Sequence, residues 1–108
     1  MTSPLPSVDP REVGDDVLLD VREDDEWAAG RAPGAVHLPM SQFVARYDEL
    51  PAEGRLAVVC RSGHRSAQVT AYLLDRGREA RNVDGGMLAW SQLGLPLEAG
   101  PGAAPRIA

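Results

Sequence analysis

Residues 55 to 66 read Arg-Leu-Ala-Val-Val-Cys-Arg-Ser-Gly-His-Arg-Ser. The apolar run Ala57 to Cys60 predicts a short strand that is buried on both faces, as strands are in a parallel sheet. Apolar residues recur three and four positions apart from Ala67 onward, which predicts a helix that ends at Gly77. Ser66 is predicted to be its N-cap, so residues 61 to 66 form a tight turn between strand and helix.

The same alternation of short strands and short helices extends along the rest of the chain. Further strands are predicted at Val17 to Val21, Ala35 to Leu38 and Arg81 to Val83. Further helices are predicted at Asp24 to Ala29, at Ser41 to Leu50 with Ser41 as N-cap, and at Met87 to Leu93 before Gly94. In the second of these, Phe43, Tyr47 and Leu50 form one apolar stripe. Alternating strands and helices favour an α/β fold in which a central, mainly parallel sheet has helices on both faces.

Cys60 is the only cysteine in the chain, and it lies where the apolar run meets Arg61, His64 and Arg65. Nearby positive charge and the start of a helix both lower the pKa of a thiol. Ligands of parallel α/β sheets bind beyond the carboxyl ends of the strands, which is where Cys60 falls. Cys60 is therefore the candidate catalytic nucleophile, and the backbone N–H groups after it are candidates for binding an anion.

Four segments, in order, resemble the signatures of the single-domain rhodaneses, the thiosulfate sulfurtransferases. The segment Cys60 to Ser66 resembles their active-site loop. The other three segments are Leu18 to Arg22 with Glu26-Trp27, Gly30 to Pro39, and Asp84-Gly85-Gly86 with Trp90 and Gly94 to Pro96. Where the family usually has His-Ile, this chain has Arg31-Ala32, away from the loop. The resemblance implies a rhodanese domain over residues 1 to 98, and the patternless residues 99 to 108 are expected to form a flexible tail.

The resemblance implies an enzyme that moves sulfane sulfur from thiosulfate or a similar small anionic donor to an acceptor, through a persulfide on Cys60. The acceptor would be cyanide or a thiol, including a thiol on a protein. No cofactor is implied. The candidate substrate-binding residues are those of the loop: Arg61, Ser62, Gly63, His64, Arg65 and Ser66. The two arginines would hold the anionic group of the donor, and His64 would lie at the rim.

Three other functions remain open for this fold. One is a regulatory module without turnover, and another is a sulfur carrier that serves one particular protein partner. The third is a phosphatase or arsenate reductase, but related phosphatases place five residues between the cysteine and the phosphate-binding arginine. Here four residues separate Cys60 from Arg65, and the shorter loop favours sulfur transfer.

Composition excludes several other functions. All 11 basic residues are arginine, and without lysine there is no Walker-type phosphate loop and no Schiff-base chemistry. A net charge of −5 argues against nucleic-acid binding. One cysteine and two histidines are too few for a closed zinc site, so no metal is expected.

The start of the chain, residues 1 to 4, has neither a basic patch nor a long apolar run. No leader and no membrane span are therefore predicted, and a cytoplasmic location is expected. Asp20, Arg22 and His37 are interpreted as structural residues: Asp20 and Arg22 would pin the neighbouring backbone and the segment around Glu26.

Overall fold

A single parallel sheet organises residues 5 to 108, the part of the chain that the computed structural model describes. Its strands are β1 (Ser7–Val8), β2 (Val17–Asp20), β3 (Val36–His37), β4 (Leu56–Val59) and β5 (Ala80–Val83). Their order across the sheet is β1-β5-β4-β2-β3, and every pairing is parallel. The helices are α1 (Asp24–Ala29), α2 (His64–Asp75) and α3 (Gly86–Gln92). The expectation for residues 1 to 4 lies outside the described residues.

Strand β4 is buried on both faces, as its unbroken apolar run predicts. Leu56 and Val58 pack into the cluster that includes α2 residues, whereas Ala57 and Val59 pack into the cluster that contains Met87 of α3. Side chains alternate across a strand, so these two clusters lie on opposite faces of the sheet. The predicted α/β fold, with helices on both faces of a parallel sheet, is confirmed.

One strand was not foreseen from the sequence. Ser7 and Val8 pair in parallel with Asn82 and Val83 and form an edge of the sheet. Two residues are too few to show the alternation of apolar and polar side chains that identifies a strand. The predicted strand at residues 35 to 38 is shorter in the structure, where β3 contains only Val36 and His37.

The predicted helix from Ser41 to Leu50 is wrong. That segment forms two 3-10 turns, Met40–Gln42 and Tyr47–Glu49. The hydroxyl of Ser41 does not cap a helix but donates to the Glu23 carboxylate at 2.5 Å. The predicted apolar stripe is nevertheless directed inward, since Phe43 and Leu50 are buried. A 3-10 turn also brings residues three apart onto one side, so the stripe alone did not distinguish the two helix types.

Residues 99 to 108, the predicted tail, form no helix or strand but return across the domain. The Arg106 amide donates to the Ala29 carbonyl at 2.9 Å, and Ile107 packs against the cluster that contains Met87. The Arg61 Nε donates to the carbonyl of Ala108 at 3.0 Å. Both the flexibility of this segment and the boundary at residue 98 stay predictions. No helix between residues 5 and 108 is long and apolar enough to cross a membrane.

Candidate active site

Cys60 follows the last residue of β4, at the carboxyl edge of the sheet. Strand β4 lies between β5 and β2, so the thiol is flanked by the ends of two neighbouring strands. Cys60 is 1% exposed. Only a reactant with a narrow, protruding terminal atom can therefore reach the sulfur.

The loop after Cys60 is shorter than predicted, because α2 begins at His64 rather than after Ser66. The prediction that Ser66 is the N-cap is wrong: Gly63 occupies the cap position with a φ of 113°, which favours glycine. Ser66 is the third residue of the helix. Its backbone N–H is one of those at a helix start that have no partner within the helix, and it donates to the Cys60 Sγ at 3.3 Å.

Three groups surround the Cys60 sulfur at hydrogen-bond distance. Besides the Ser66 N–H, the Gly63 N–H donates to Sγ at 3.1 Å. The Ser66 hydroxyl oxygen lies 3.2 Å from Sγ. A sulfur that carries negative charge is therefore met by N–H dipoles that the fold has already oriented, which is the arrangement that stabilises a bound anion.

Burial raises the pKa of the Cys60 thiol, yet hydrogen bonds to the sulfur outweigh burial and hold that pKa below its ordinary value. The groups whose contacts lower it are the hydroxyl of Ser66 and the backbone N–H groups of Ser66, Gly63 and Ser62. The sequence had suggested that the neighbouring arginines and the helix start lower this pKa. The structure assigns the effect to hydrogen bonds, among them those of the helix start.

Arg65 is not a free cation at the mouth of the loop. Its Nη1 and Nη2 atoms donate to the two carboxylate oxygens of Glu26 at 2.7 and 2.8 Å. The pair raises the pKa of Arg65 and lowers that of Glu26. The carboxylate offsets much of the guanidinium charge, so the loop is less cationic than its sequence suggests.

The remaining predicted residues line the outside of the loop. Arg61, Ser62 and His64 are exposed, where they can meet an incoming molecule. All six predicted loop residues thus lie in the segment that follows Cys60. Gly63 and Ser66 contact its sulfur at hydrogen-bond distance, and the backbone N–H of Ser62 also lowers its pKa.

Helix α3 holds the beginning of the loop from the other side of the sheet. The Met87 N–H donates to the Cys60 carbonyl at 2.8 Å, and the Leu88 N–H donates to the Arg61 carbonyl at 3.0 Å. A Cβ at Gly86 would lie 2.5 Å from both of these carbonyl oxygens. Only glycine permits this approach. The sequence did not indicate this role of Gly86, although the Gly85-Gly86 pair was a visible signal of it.

Asn82 of β5 is a second residue that the sequence did not indicate. Its Oδ1 accepts the Ser66 hydroxyl at 2.6 Å, and its Nδ2 donates to the Gly63 carbonyl at 3.3 Å. It therefore contacts both residues whose N–H groups reach the Cys60 sulfur. No motif marks Asn82, because this position follows from the pairing of β5 with β4.

The structural interpretation of Asp20, Arg22 and His37 is confirmed. Asp20 and Arg22 are fully buried and paired at 2.8 Å. Arg22 also donates to the carbonyls of Glu26, in the middle of α1, and Gly30, at its C-terminal cap, so it fixes α1 against the end of β2. His37 stacks on a tryptophan ring and hydrogen-bonds the Arg22 carbonyl at 2.7 Å. Between residues 5 and 108, no three His, Cys, Asp or Glu side chains are grouped to hold a metal ion.

Fold and site together define a class: a parallel α/β domain with one thiol in a loop whose backbone N–H groups face the sulfur. The family model described as the rhodanese-like domain matches residues 8 to 93. The chain belongs to this family.

Two sequence relatives and one solved structure show what this chain is similar to. The chain is 40% identical over 89 residues to a sulfurtransferase of Allochromatium vinosum, with 82% of this chain and 83% of that protein covered. It is 33% identical over 90 residues to the thiosulfate sulfurtransferase GlpE of Actinobacillus succinogenes, with 82% and 81% covered. A rhodanese-related protein of Thermoplasma volcanium superposes with a TM-score of 0.81 at 27% identity, over 86% of this chain and 97% of that one.

Proposed function

We propose that this protein is a sulfurtransferase that carries sulfane sulfur as a persulfide on Cys60. The observation that carries the proposal is the Cys60 sulfur held by the N–H groups of Gly63 and Ser66. Sulfurtransferases among the relatives support sulfur transfer in general. Thiosulfate or a similar anionic sulfur compound is proposed as the donor.

In the first step the Cys60 thiolate attacks the outer sulfur of thiosulfate. A new sulfur–sulfur bond forms, the old one breaks, and sulfite leaves with the electron pair of that bond. The product is a persulfide anion on Cys60. The hydrogen bonds that lower the pKa of Cys60 favour the thiolate that attacks.

In the second step an external nucleophile attacks the terminal sulfur of the persulfide, and the Cys60 thiolate leaves. The nucleophile is cyanide or a thiol, including a protein thiol. The chain contains no second cysteine, so the sulfur must pass to another molecule.

The loop residues divide the binding of the donor among them. The N–H groups within residues 61 to 66 stabilise the sulfur species, and exposed Arg61 attracts the anionic end of the donor. Arg65 contributes through the part of its charge that Glu26 leaves unbalanced. His64 lies at the rim, where it contacts donor or acceptor.

Intact-protein mass spectrometry tests the persulfide directly. Incubation with thiosulfate and no acceptor should add the mass of one sulfur atom, and cyanide should then remove it. Cys60→Ser should show neither change, whereas Ser62→Ala, a loop variant that keeps the thiol, should still be loaded. An adduct that persists in Cys60→Ser, or none in the parent, would contradict the proposal. Initial rates with cyanide, a small thiol and a protein thiol would then rank the acceptors.

A further inference from the structure

The orientation of the Asn82 amide determines which atom accepts a hydrogen bond from the Ser66 hydroxyl. The carbonyl of Gly63 can only accept a hydrogen bond, so the atom of Asn82 that faces it must be Nδ2. The amide oxygen then faces Ser66 and accepts its hydroxyl proton at 2.6 Å. The lone pairs of Ser66 Oγ are left to face the Cys60 sulfur.

Ser66 has one hydroxyl proton and two neighbours that can accept it. When Cys60 is a thiol, its S–H donates to Ser66 Oγ and the Ser66 O–H donates to Asn82, so each hydrogen has an acceptor. When Cys60 is a thiolate, its sulfur accepts a hydrogen bond from the same O–H only if that O–H turns away from Asn82. The amide oxygen and the thiolate therefore compete for a single proton.

From this competition we propose that Asn82 is a positioning residue for sulfur transfer, which holds the Ser66 hydroxyl proton while the Cys60 sulfur is uncharged and releases it when the sulfur becomes a thiolate. The persulfide part of this cycle rests on the proposed function. As an acceptor removes the terminal sulfur, the bond between the two sulfurs breaks and its electron pair stays on Sγ. The Ser66 proton then turns from Asn82 toward that charge, without leaving Ser66.

The loop geometry does not depend on Asn82 alone. The Gly63 carbonyl also accepts the Ala67 N–H at 3.1 Å, and the Ser66 N–H is fixed within the first turn of α2. Loss of the Asn82 side chain therefore leaves the two N–H donors near the sulfur. Its main effect is to free the Ser66 proton.

Asn82→Leu removes the competing acceptor at nearly constant volume, so the Cys60 pKa should fall by roughly half a unit, the equivalent of one modest hydrogen bond. Asn82→Asp supplies a stronger, negatively charged acceptor and should raise that pKa. Neither variant alters the other charged groups on the elements packed around Cys60: Arg61 and His64 of the loop, Arg65 of α2 with Glu26 of α1, Asp20 and Arg22 at the end of β2, and Arg81 and Asp84 of the β5 segment.

The measurement is the rate of iodoacetamide alkylation of Cys60 against pH, which requires no sulfur transfer. The midpoint of this pH profile reports the pKa of Cys60. In a Ser66→Ala background, Asn82→Leu should leave that midpoint unchanged, and Asn82→Asp should shift it less than in the parent. A midpoint that rises or stays constant in Asn82→Leu, or that moves equally without the hydroxyl, would overturn the proposal.

A melting curve checks that each variant is folded. Asn82→Ala, which also removes the competing acceptor without adding a charge, provides the test if Asn82→Leu does not fold. Failure of thiosulfate to load Cys60 would instead refute the proposed function and leave the alkylation result standing.

Discussion

Replacing Gly86 with alanine tests how α3 controls the loop. The new Cβ would lie 2.5 Å from the carbonyl oxygens of Cys60 and Arg61, whereas ordinary contacts begin near 3.4 Å. The loop or the helix must therefore move by roughly 0.9 Å, and a displacement of about 1 Å at a reactive centre can cost about 100-fold in rate. We expect Gly86→Ala to load sulfur from thiosulfate at least about 10-fold more slowly than the parent.

Gly94→Ala is the matched control. Gly86 and Gly94 have φ values of 61° and 72°, so alanine at either site costs about 1–2 kcal/mol of backbone strain. Nothing lies within 4 Å of a Cβ at Gly94, so the free energy of unfolding of this variant should fall by the backbone strain alone.

At Gly86 the steric overlap destabilises the fold by roughly 1–3 kcal/mol in addition to this strain. Since about 1 kcal/mol corresponds to roughly 4–8 °C in a domain near this size, the Tm of Gly86→Ala should lie clearly below that of Gly94→Ala. Thermal melts and single-turnover sulfur loading measure the two effects. Equal melting temperatures together with parent-like loading by Gly86→Ala would refute the reasoning.

Three further predictions concern the loop. Ser66→Ala removes a hydrogen bond that lowers the pKa of Cys60, so the alkylation rate should rise at higher pH than in the parent; an unchanged profile would argue against the hydroxyl. Arg65 holds the pKa of Glu26 below its ordinary 4.5, so the pair stabilises the fold above that pH and this stabilisation is lost as the pH falls through the lowered folded pKa. Glu26→Gln should therefore lower the free energy of unfolding by about 1 kcal/mol at neutral pH, with the difference vanishing in acid, as pH-dependent melts would detect. Inserting one residue after Gly63 should abolish most sulfur loading, because its N–H and that of Ser66 no longer converge on the sulfur; loading at the parent rate would contradict this.

The sequence was sufficient for the class of fold and the location of the thiol. The apolar run of β4 indicated a strand buried on both faces, because only such a strand lacks polar positions along its length. A cysteine directly after that run must lie at the carboxyl edge of a parallel sheet, where ligands bind. Both inferences depend on residues adjacent in the chain, and both agree with the structure.

Where local patterns were ambiguous, the sequence predictions were less accurate. The stripe that includes Phe43 and Leu50 correctly indicated burial but not the type of helix, since residues three apart share a side in both types. The cap of α2 was placed at Ser66 because serine is a common N-cap. In the structure Gly63 takes that position, and the Ser66 hydroxyl is engaged by Cys60 and Asn82 instead.

Tertiary structure alone decided which distant residues act on the thiol. Glu26 precedes Arg65 by 39 positions, and Asn82 reaches Ser66 only because β5 lies beside β4 in the register that pairs it with Val58. Periodicity in a sequence records which side of an element is buried. It does not record the order of strands in a sheet, and here that order brings Asn82 and Glu26 to the loop that contains Cys60.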